Sequence, residues 1–439
     1  MQAGAASDRR PRSALPGTRS ALALGAVALA TVAVGIVVET ATSSLGAPLA
    51  PFFATLSPRI DPAAALALPA YLLAAAAAVA LARSSIGTSR FLAGCFGVAL
   101  AARLGLATAR DGLDGLYAVL GPAPEGANEY LPALPALHSL GVHAFLDRFA
   151  EISPTLPIHP SAHPPGILLL LDALGIDGPR AFAALVIAVG AGAAPLTYVL
   201  ARRLALDEGR ARLAALLIAL SPAAMLYGVT STDALYATLG LGALCLLAGS
   251  QLLPRVLGGL ALAVASFFSW ALLALGAFAA VVVALREGPR SAIVLSLVVG
   301  VALVAFYGVL HAAFGFDPIG AVRAAGDAYD LGISNARPYI FWLFGSPVAY
   351  AVALGLPTAW FAARALGAGN EVAIGLAAII AVSVLIGLTK AETERIWLFM
   401  GPLAAVAAAT LLPARRMPLV LGALAAQGLA AALLLDTIW

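Results

Sequence analysis

Charged residues are scarce in this chain of 439 residues. Only 11% of its residues are charged and 62% are hydrophobic, and its mean hydropathy is +0.98. A soluble globular chain carries about 25% charged and about 45–50% apolar residues. A soluble chain of this length must also cover a large surface with polar groups. The shortage of charge therefore excludes a soluble enzyme, a nucleic-acid-binding domain and a disordered chain.

Lysine and cysteine are scarcer still. The 25 basic residues include one lysine, Lys390, and the formal net charge is only +3. So small a net charge gives no reason to expect an anionic macromolecular partner, and we expect no nucleic acid. The two cysteines, Cys95 and Cys245, lie inside apolar runs, and we interpret them as ordinary core residues.

What the chain has instead is a series of long apolar runs. They predict an all-α polytopic membrane protein, with a lipid bilayer as its solvent and about 13 transmembrane helices. Residues 1–20 are predicted to be a cytoplasmic tail, and residues 21–439 a single transmembrane domain. The predicted spans are 21–38, 66–82, 91–107, 181–201, 211–227, 233–250, 256–268, 270–285, 291–311, 339–362, 371–388, 395–412 and 417–435. The region 256–285 can be one broken helix or two short ones, and Ser266, Ser269 and Trp270 mark the expected break.

The distribution of arginine predicts the orientation. With the N-terminus inside, most arginines fall on the inner face of a cytoplasmic membrane, as the positive-inside rule requires. Most carboxylates then fall outside or within the spans. Residues 108–180 and 312–338 become outer loops, and 390–395 a short outer segment. Residues 166–175 are too few to cross a bilayer, so we expect a short helix along the outer membrane face.

The first outer loop concentrates titratable side chains. It contains four of the five histidines of the chain, including His159 and His163. A carboxylate beside neutral histidines can serve as a general base, and the candidates are Asp111, Asp114 and Glu129. The alternative is an ordinary solvated loop. The two histidines have the i, i+4 spacing of helical zinc ligands, but three neighbouring prolines argue against an ordinary helix, so no metal site is predicted.

Tyr130 and the outer ends of later spans supply further polar groups. We expect Tyr130 to anchor at the membrane interface. Asp233 begins a span, where it can line the same cavity as Glu129 or simply cap a helix. In the segment 390–395, Arg395 can hold a phosphate bidentately, and Lys390 can add a point charge. The remaining candidates for substrate binding are His159, His163, Arg337 and Glu392. A purely structural network of Glu392, Glu394 and Arg395 remains the alternative.

The order of these motifs resembles that of the GT-C-type integral-membrane glycosyltransferases. The resemblance is to the protein-mannosyltransferase-like group and its actinobacterial relatives, and it covers roughly residues 105–400. The motifs are N-E-Y-L (128–131), H-P-P-G (163–166), G-P-R (178–180), A-R-R-L (201–204), T-S-T-D (230–233) and E-T-E-R-I-W-L-F (392–399).

This resemblance implies a GT-C-like fold and a transfer reaction. A sugar passes from a polyprenyl-phosphate donor to an acceptor on the outer face, with inversion. The acceptor can be a cell-envelope glycan, a glycolipid or a protein. The acidic residue that acts as base corresponds by position to Glu129, with Asp111 and Asp114 as competitors. No cofactor is required for a monophosphate leaving group, whereas a diphosphate donor would favour a divalent cation.

Two other functions remain open. One is a transporter or flippase of a lipid-linked sugar. Transporters usually have repeated halves and broken helices near the middle of the membrane, and no repeat is visible here. The other is a non-catalytic membrane homologue of the enzyme.

Overall fold

A computed structural model describes residues 17–387 and 389–438, except for the side chain of Ile333. The predicted tail, residues 1–20, lies outside these residues apart from its last four positions. Within the described residues the chain is almost entirely helical. The predicted all-α class is therefore confirmed.

Most helices follow one another with short connections. Residues 43–63, between α1 and α2, form a longer connection, and the two predicted outer loops contain several short helices. The first twelve are α1 (Thr18–Thr42), α2 (Ala64–Arg83), α3 (Thr88–Asp111), α4 (Leu134–Asp147), α5 (Phe149–Ile152), α6 (Ile158–Ala162), α7 (Gly166–Ala173), α8 (Pro179–Ala191), α9 (Ala193–Arg203), α10 (Glu208–Ala219), α11 (Pro222–Thr230) and α12 (Asp233–Leu247). The others are α13 (Leu252–Ser266), α14 (Leu273–Glu287), α15 (Pro289–Phe314), α16 (Pro318–Leu331), α17 (Ile333–Ala336), α18 (Tyr339–Leu354), α19 (Leu356–Gly367), α20 (Glu371–Ile386), α21 (Thr393–Ile396), α22 (Gly401–Leu411) and α23 (Met417–Leu434).

Short 3-10 turns and one small sheet complete the secondary structure. The turns are Asp114–Leu116, Ala118–Leu120, Pro124–Asn128, Leu131–Ala133, Ser153–Thr155, Trp270–Leu272, Leu398–Met400 and Ala414–Arg416. The strands β1 (Thr55–Leu56) and β2 (Leu435–Asp436) pair antiparallel, with Thr55 opposite Asp436. This pairing joins the loop after α1 to the segment after α23.

Seven helical stretches of the described chain are long and apolar enough to cross a membrane. They are α1, α2, α3, α8 with α9, α14 with the turn before it, α15, and α23 with the turn before it. Two bent pairs, α10–α11 (52°) and α18–α19 (119°), raise the number to nine if each pair is one span. The other apolar stretches, α12, α13, α20 and Leu398–Leu411, have 10–17 residues. A helix needs about 20 apolar residues to span a bilayer, so thirteen complete crossings remain a prediction.

The uncertain region 256–285 forms two helices. The break between α13 and α14 lies at residues 267–269, beside the predicted markers Ser266 and Trp270. At this break Gly166 donates its backbone N–H to the carbonyl oxygen of Phe267 at 2.9 Å. The first turn of α7 therefore packs against this break.

The segment 158–173 differs from one expectation. A five-residue helical turn, α6, includes His159 despite the prolines. Pro160 is tolerated because it lies in the first turn, where a backbone N–H has no partner inside the helix. Helix α7 forms as predicted, but Ile167, Leu168 and Leu171 are buried in the protein core. One face of the helix is therefore packed against the bundle, and its position along a membrane surface stays a prediction.

Arg103 is an unexpected charge in the middle of α3. Only 1% of its surface is exposed. Its guanidinium donates to the carbonyl oxygen of Ala99 at 2.9 Å and to that of Gly190 at 3.2 Å, where α8 breaks before α9. A Cβ on Gly228 would lie 2.5 Å from Arg103 Nε, so only glycine leaves room for this side chain. Charged groups in apolar surroundings pair with backbone carbonyls in this way.

We predict that Gly166→Ala destabilises the protein. A Cβ at residue 166 would lie 2.3 Å from the carbonyl oxygen of Phe267, so the backbone contact between α7 and the break must open. Overpacking of this kind costs about 1–3 kcal/mol. The measurement is the midpoint of thermal unfolding in detergent.

Gly178→Ala is the matched control for this prediction. It lies in the same loop, and a Cβ there would meet no atom within 4 Å. A variant of Gly166 as stable as the control would contradict the packing described for α7.

Candidate active site

Arg395 lies at the centre of a buried group of charges. Its Nη1 donates to Asp233 Oδ2 at 2.6 Å, and its Nη2 donates to Glu392 Oε2 at 2.9 Å. Arg395 is 6% exposed and Asp233 is 7% exposed. Charge-assisted bonds of this length are among the strong hydrogen bonds of proteins. They join the start of α12 to the segment after α20, which are separated by more than 150 residues of sequence.

Local backbone structure positions both partners. Asp233 is the first residue of α12, and its N–H donates to Ser231 Oγ at 3.2 Å while that hydroxyl donates to Asp233 Oδ2 at 2.7 Å. Glu392 has a positive φ of 60° and directly precedes α21, which presents Arg395 one turn later. A non-glycine residue in this conformation is uncommon. The sharp turn directs the side chains of both Glu392 and Arg395 into the same group.

A second arginine extends the group on the other side of Glu392. Arg337 Nη1 lies 3.2 Å from Glu392 Oε1 and donates to the carbonyl oxygen of Lys390 at 2.7 Å. The Arg337 guanidinium also lies over the ring of Phe53, 5.1 Å from its centroid. Lys390 Nζ donates to the carbonyl oxygens of Asn335 and Arg337 at 3.0 and 3.2 Å. The three predicted cations, which come from two distant segments, therefore lie within one network.

The first outer loop supplies a second set of carboxylates. His159 Nε2 lies 3.2 Å from Glu125 Oε1 and 3.6 Å from Glu129 Oε1. Glu129 is only 2% exposed. The histidine therefore lies between two carboxylates, one partly accessible and one buried. Glu125 was not among the candidates from the sequence, although it is four residues from Glu129.

Burial and nearby charges, including that of Arg395, act on the pKa values of the two loop carboxylates. Burial raises the pKa of Glu129, and the charges of His159 and Arg395 oppose this effect only in part. Burial also acts to raise the pKa of Glu125, but hydrogen bonds from His159 and Asn128 outweigh it and lower that pKa. A carboxylate with a raised pKa is a stronger base when it is ionised.

An aromatic wall lies beside Glu129. The ring of Tyr130 is 6.4 Å from that of His159 and 6.3 Å from that of His163, and His163 is 5.6 Å from Tyr236. Tyr130 is fully buried, so the expectation that it anchors at the membrane interface is wrong. Burial lowers the pKa of His163 to about 4, which leaves this imidazole neutral at pH 7.

Several buried polar atoms around this group have no hydrogen-bond partner in the described part of the chain, among them Glu129 Oε2, His163 Nδ1 and Glu394 Oε2. Buried polar groups normally find partners. Each of these atoms can accept a proton or a hydrogen bond from a bound molecule.

Glu394 is a titratable residue that the sequence placed only in a structural network. Its Oε1 accepts the backbone N–H of Phe53 at 2.8 Å, and burial raises its pKa to about 7. Its neighbours Glu392 and Arg395 were both candidates, so the i, i+2 spacing of two glutamates was the available signal. The contact with residue 53 could not be predicted because it joins distant segments.

The structure places the other two candidate bases in different contacts. Asp111 pairs with Arg59 at 2.9 Å and with Arg110. Asp114 accepts a hydrogen bond from the Tyr117 hydroxyl at 2.6 Å. Among the described residues, neither aspartate contacts Glu129 or Arg395. The remaining candidates, His159, His163, Asp233, Arg337, Lys390, Glu392 and Arg395, form one connected neighbourhood with Glu129.

Among residues 17–387 and 389–438 no group of three or more His, Cys, Asp and Glu side chains is arranged to hold a metal ion. Comparison of the chain with family models, curated proteins and solved structures finds no match. The chemistry of the site must therefore be inferred from its own residues.

We predict that Glu394 makes the stability of the protein decrease as pH rises from about 4.5 to about 7. The unfolded carboxyl releases its proton near 4.5, whereas the folded one keeps it until about 7. Over this interval the folded state binds more protons, so the free energy of unfolding decreases with pH. Glu394→Gln should flatten this part of the profile, measured by thermal unfolding between pH 5 and pH 7.5.

Glu151→Gln is the control for this measurement. Glu151 is exposed, and its hydrogen bond from Arg148 lowers its pKa, so its contribution changes only below the chosen interval. A profile that is equally steep in Glu394→Gln and in the wild type would show that Glu394 is not the titrating group.

Proposed function

We propose that the protein is a GT-C-like membrane glycosyltransferase. It moves a sugar from a polyprenyl-phosphate donor to an acceptor hydroxyl on the outer face of the cytoplasmic membrane, with inversion. The proposal includes thirteen membrane crossings, an N-terminus inside and a site on the outer face. The sugar can be mannose, arabinofuranose or another, and the acceptor can be a cell-envelope glycan, a glycolipid or a protein.

One observation carries the proposal. Glu129 is a buried carboxylate with an unpartnered oxygen. It lies close enough to Arg395 and Asp233 for their charges to act on its pKa, although the three residues come from three distant segments. Bringing charges together in a buried place costs free energy. Clusters of this kind, with perturbed pKa values, are typical of active sites.

The residues support an in-line displacement. The acceptor oxygen forms a bond to the anomeric carbon while its proton passes to Glu129 Oε2. The bond between the anomeric carbon and the phosphate oxygen breaks, and its electron pair leaves with the phosphate. Attack opposite the leaving group inverts the anomeric configuration. Glu129 acts as the general base, and His159, next to its other oxygen, orients it.

The cations fit the leaving group. A departing lipid phosphate gains negative charge, and preorganised donors stabilise such charge most effectively where water is excluded. Arg395 and Arg337 are both buried, and Lys390 lies beside Arg337. Glu392 accepts hydrogen bonds from both arginines and so compensates the repulsion between their positive charges. A phosphate would compete with Glu392 for the same donors.

Glu129→Gln tests the proposal. The amide keeps the shape of the side chain but cannot accept the proton, so transfer should fall by about 10²- to 10⁴-fold. Transfer of radiolabel from polyprenyl-phosphate-linked mannose or arabinofuranose to membrane acceptors is the measurement. The thermal unfolding midpoint of the same preparation shows whether the variant is folded.

Asp114→Asn is the matched control, because it makes the same change at a competing carboxylate of the same loop. It should keep transfer near the wild-type rate. A folded Glu129→Gln enzyme with unchanged transfer would remove Glu129 as the base, and loss in Asp114→Asn alone would assign that role to Asp114.

A lipid-linked-sugar transporter is the second candidate, and one observation favours it. The two bent helix pairs meet, because Ser221 Oγ between α10 and α11 donates to the carbonyl oxygen of Leu354 at the end of α18, at 2.9 Å. Broken helices that meet inside the bundle are typical of transporters. Counterflow of a lipid-linked sugar in vesicles, without chemical transfer, would favour this function.

A further inference from the structure

The described charges separate to the two ends of the helix bundle. Contacts such as those of Arg212 with the carbonyl oxygens of Ser84 and Ile86 connect the helix ends on one side. The arginines whose contacts place them at this end include Arg202, Arg203, Arg212, Arg255 and Arg286. Its described carboxylates are Asp207, Glu208, Glu287 and Glu371. The candidate active site lies at the opposite end, so the excess of arginine has no role in the proposed transfer.

A cavity of about 320 Å³ opens at the arginine-rich end. Three arginines, Arg202, Arg203 and Arg286, line one part of it. Apolar side chains of α12 and α14, such as Leu244, Phe278 and Val282, line the rest. These apolar side chains are buried, so the exposed part of the cavity is its cationic rim.

The three arginines of the rim differ in their hydrogen bonds and ion pairs. Arg286 pairs with Glu371 and donates to the carbonyl oxygen of Leu204 at 3.1 Å. Arg202 donates to the carbonyl oxygen of Leu206 at 2.8 Å and lies 3.9 Å from Glu208.

Arg203 differs from these two arginines. It is exposed, and it forms no hydrogen bond or ion pair with any described residue. The carboxylate in the lining, Glu287, is already bound by Arg255 at 2.6 Å. Arg203 is therefore available for an anion from outside the chain.

We propose that this cavity binds the headgroup of an anionic phospholipid, with the phosphate at Arg203. Basic pockets between helices, at the ends of membrane spans, are suited to acidic lipid headgroups. Arg203 is the last residue of a helical stretch that is long and apolar enough to cross a membrane, which argues for a lipid rather than free phosphate. This inference does not depend on the proposed transfer reaction.

Native mass spectrometry of the delipidated protein with phosphatidylglycerol tests this proposal. A basic residue near a membrane surface contributes about 1 kcal/mol to the binding of anionic lipid, which corresponds to about a fivefold change in affinity. Arg203→Gln should therefore weaken binding of phosphatidylglycerol by about fivefold or more. Phosphatidylcholine should bind weakly to both proteins, and inorganic phosphate should not displace the lipid.

Arg290→Gln is the matched control. Arg290 is an exposed arginine at the same end that does not line the cavity. It should leave binding close to that of the wild type. Equal weakening by both substitutions would overturn the proposal in favour of diffuse attraction. Displacement of the lipid by inorganic phosphate, or equally strong binding of phosphatidylcholine, would overturn it as well.

Discussion

The buried ion pair between Arg395 and Asp233 is the interaction on which the candidate site depends. An isolated charge at either position would cost several kcal/mol in the protein interior. The two side chains are tolerated because each neutralises the other and because Glu392 and Ser231 satisfy further hydrogen bonds. The pair therefore requires α12, α21 and the turn before α21 to meet in one arrangement.

The two loop carboxylates near this pair differ in burial and in pKa. Glu125 is partly accessible and has a lowered pKa, whereas Glu129 is buried and has a raised pKa. Two like groups with pKa values displaced in opposite directions are the usual sign of divided acid–base roles. His159 lies between them, and the neutral His163 closes the aromatic side. This arrangement suits proton acceptance next to a departing phosphate.

The sequence predicted the features that arise from local pattern. The apolar runs predicted as spans are helical, although 211–227 and 339–362 each contain a bend between two helices. The break near Ser266 and Trp270 was visible because polar residues interrupt such a run. Glu129 was chosen because it is a carboxylate of the histidine-rich first loop, Asp233 because it begins a span, and Arg395 because charge at a membrane face is costly unless it is paired.

Features that arise from contacts between distant segments escaped prediction. Tyr130 was expected at an interface but is buried, because α6 and α8 cover it. Asp111 looked like a free carboxylate, yet Arg59, 52 positions earlier, pairs with it. Arg103 lies inside an apparently ordinary span, and its acceptor at Gly190 exists only because α8 breaks there. No periodicity in the sequence reports such contacts.

A structure determined with a polyprenyl-phosphate sugar bound would test the central claim most directly. The account predicts the phosphate within hydrogen-bonding distance of Arg395 or Arg337 and the anomeric carbon on the side facing Glu129. A lipid phosphate bound elsewhere, with the pair of Arg395 and Asp233 undisturbed and Glu129 sealed from the sugar, would contradict it.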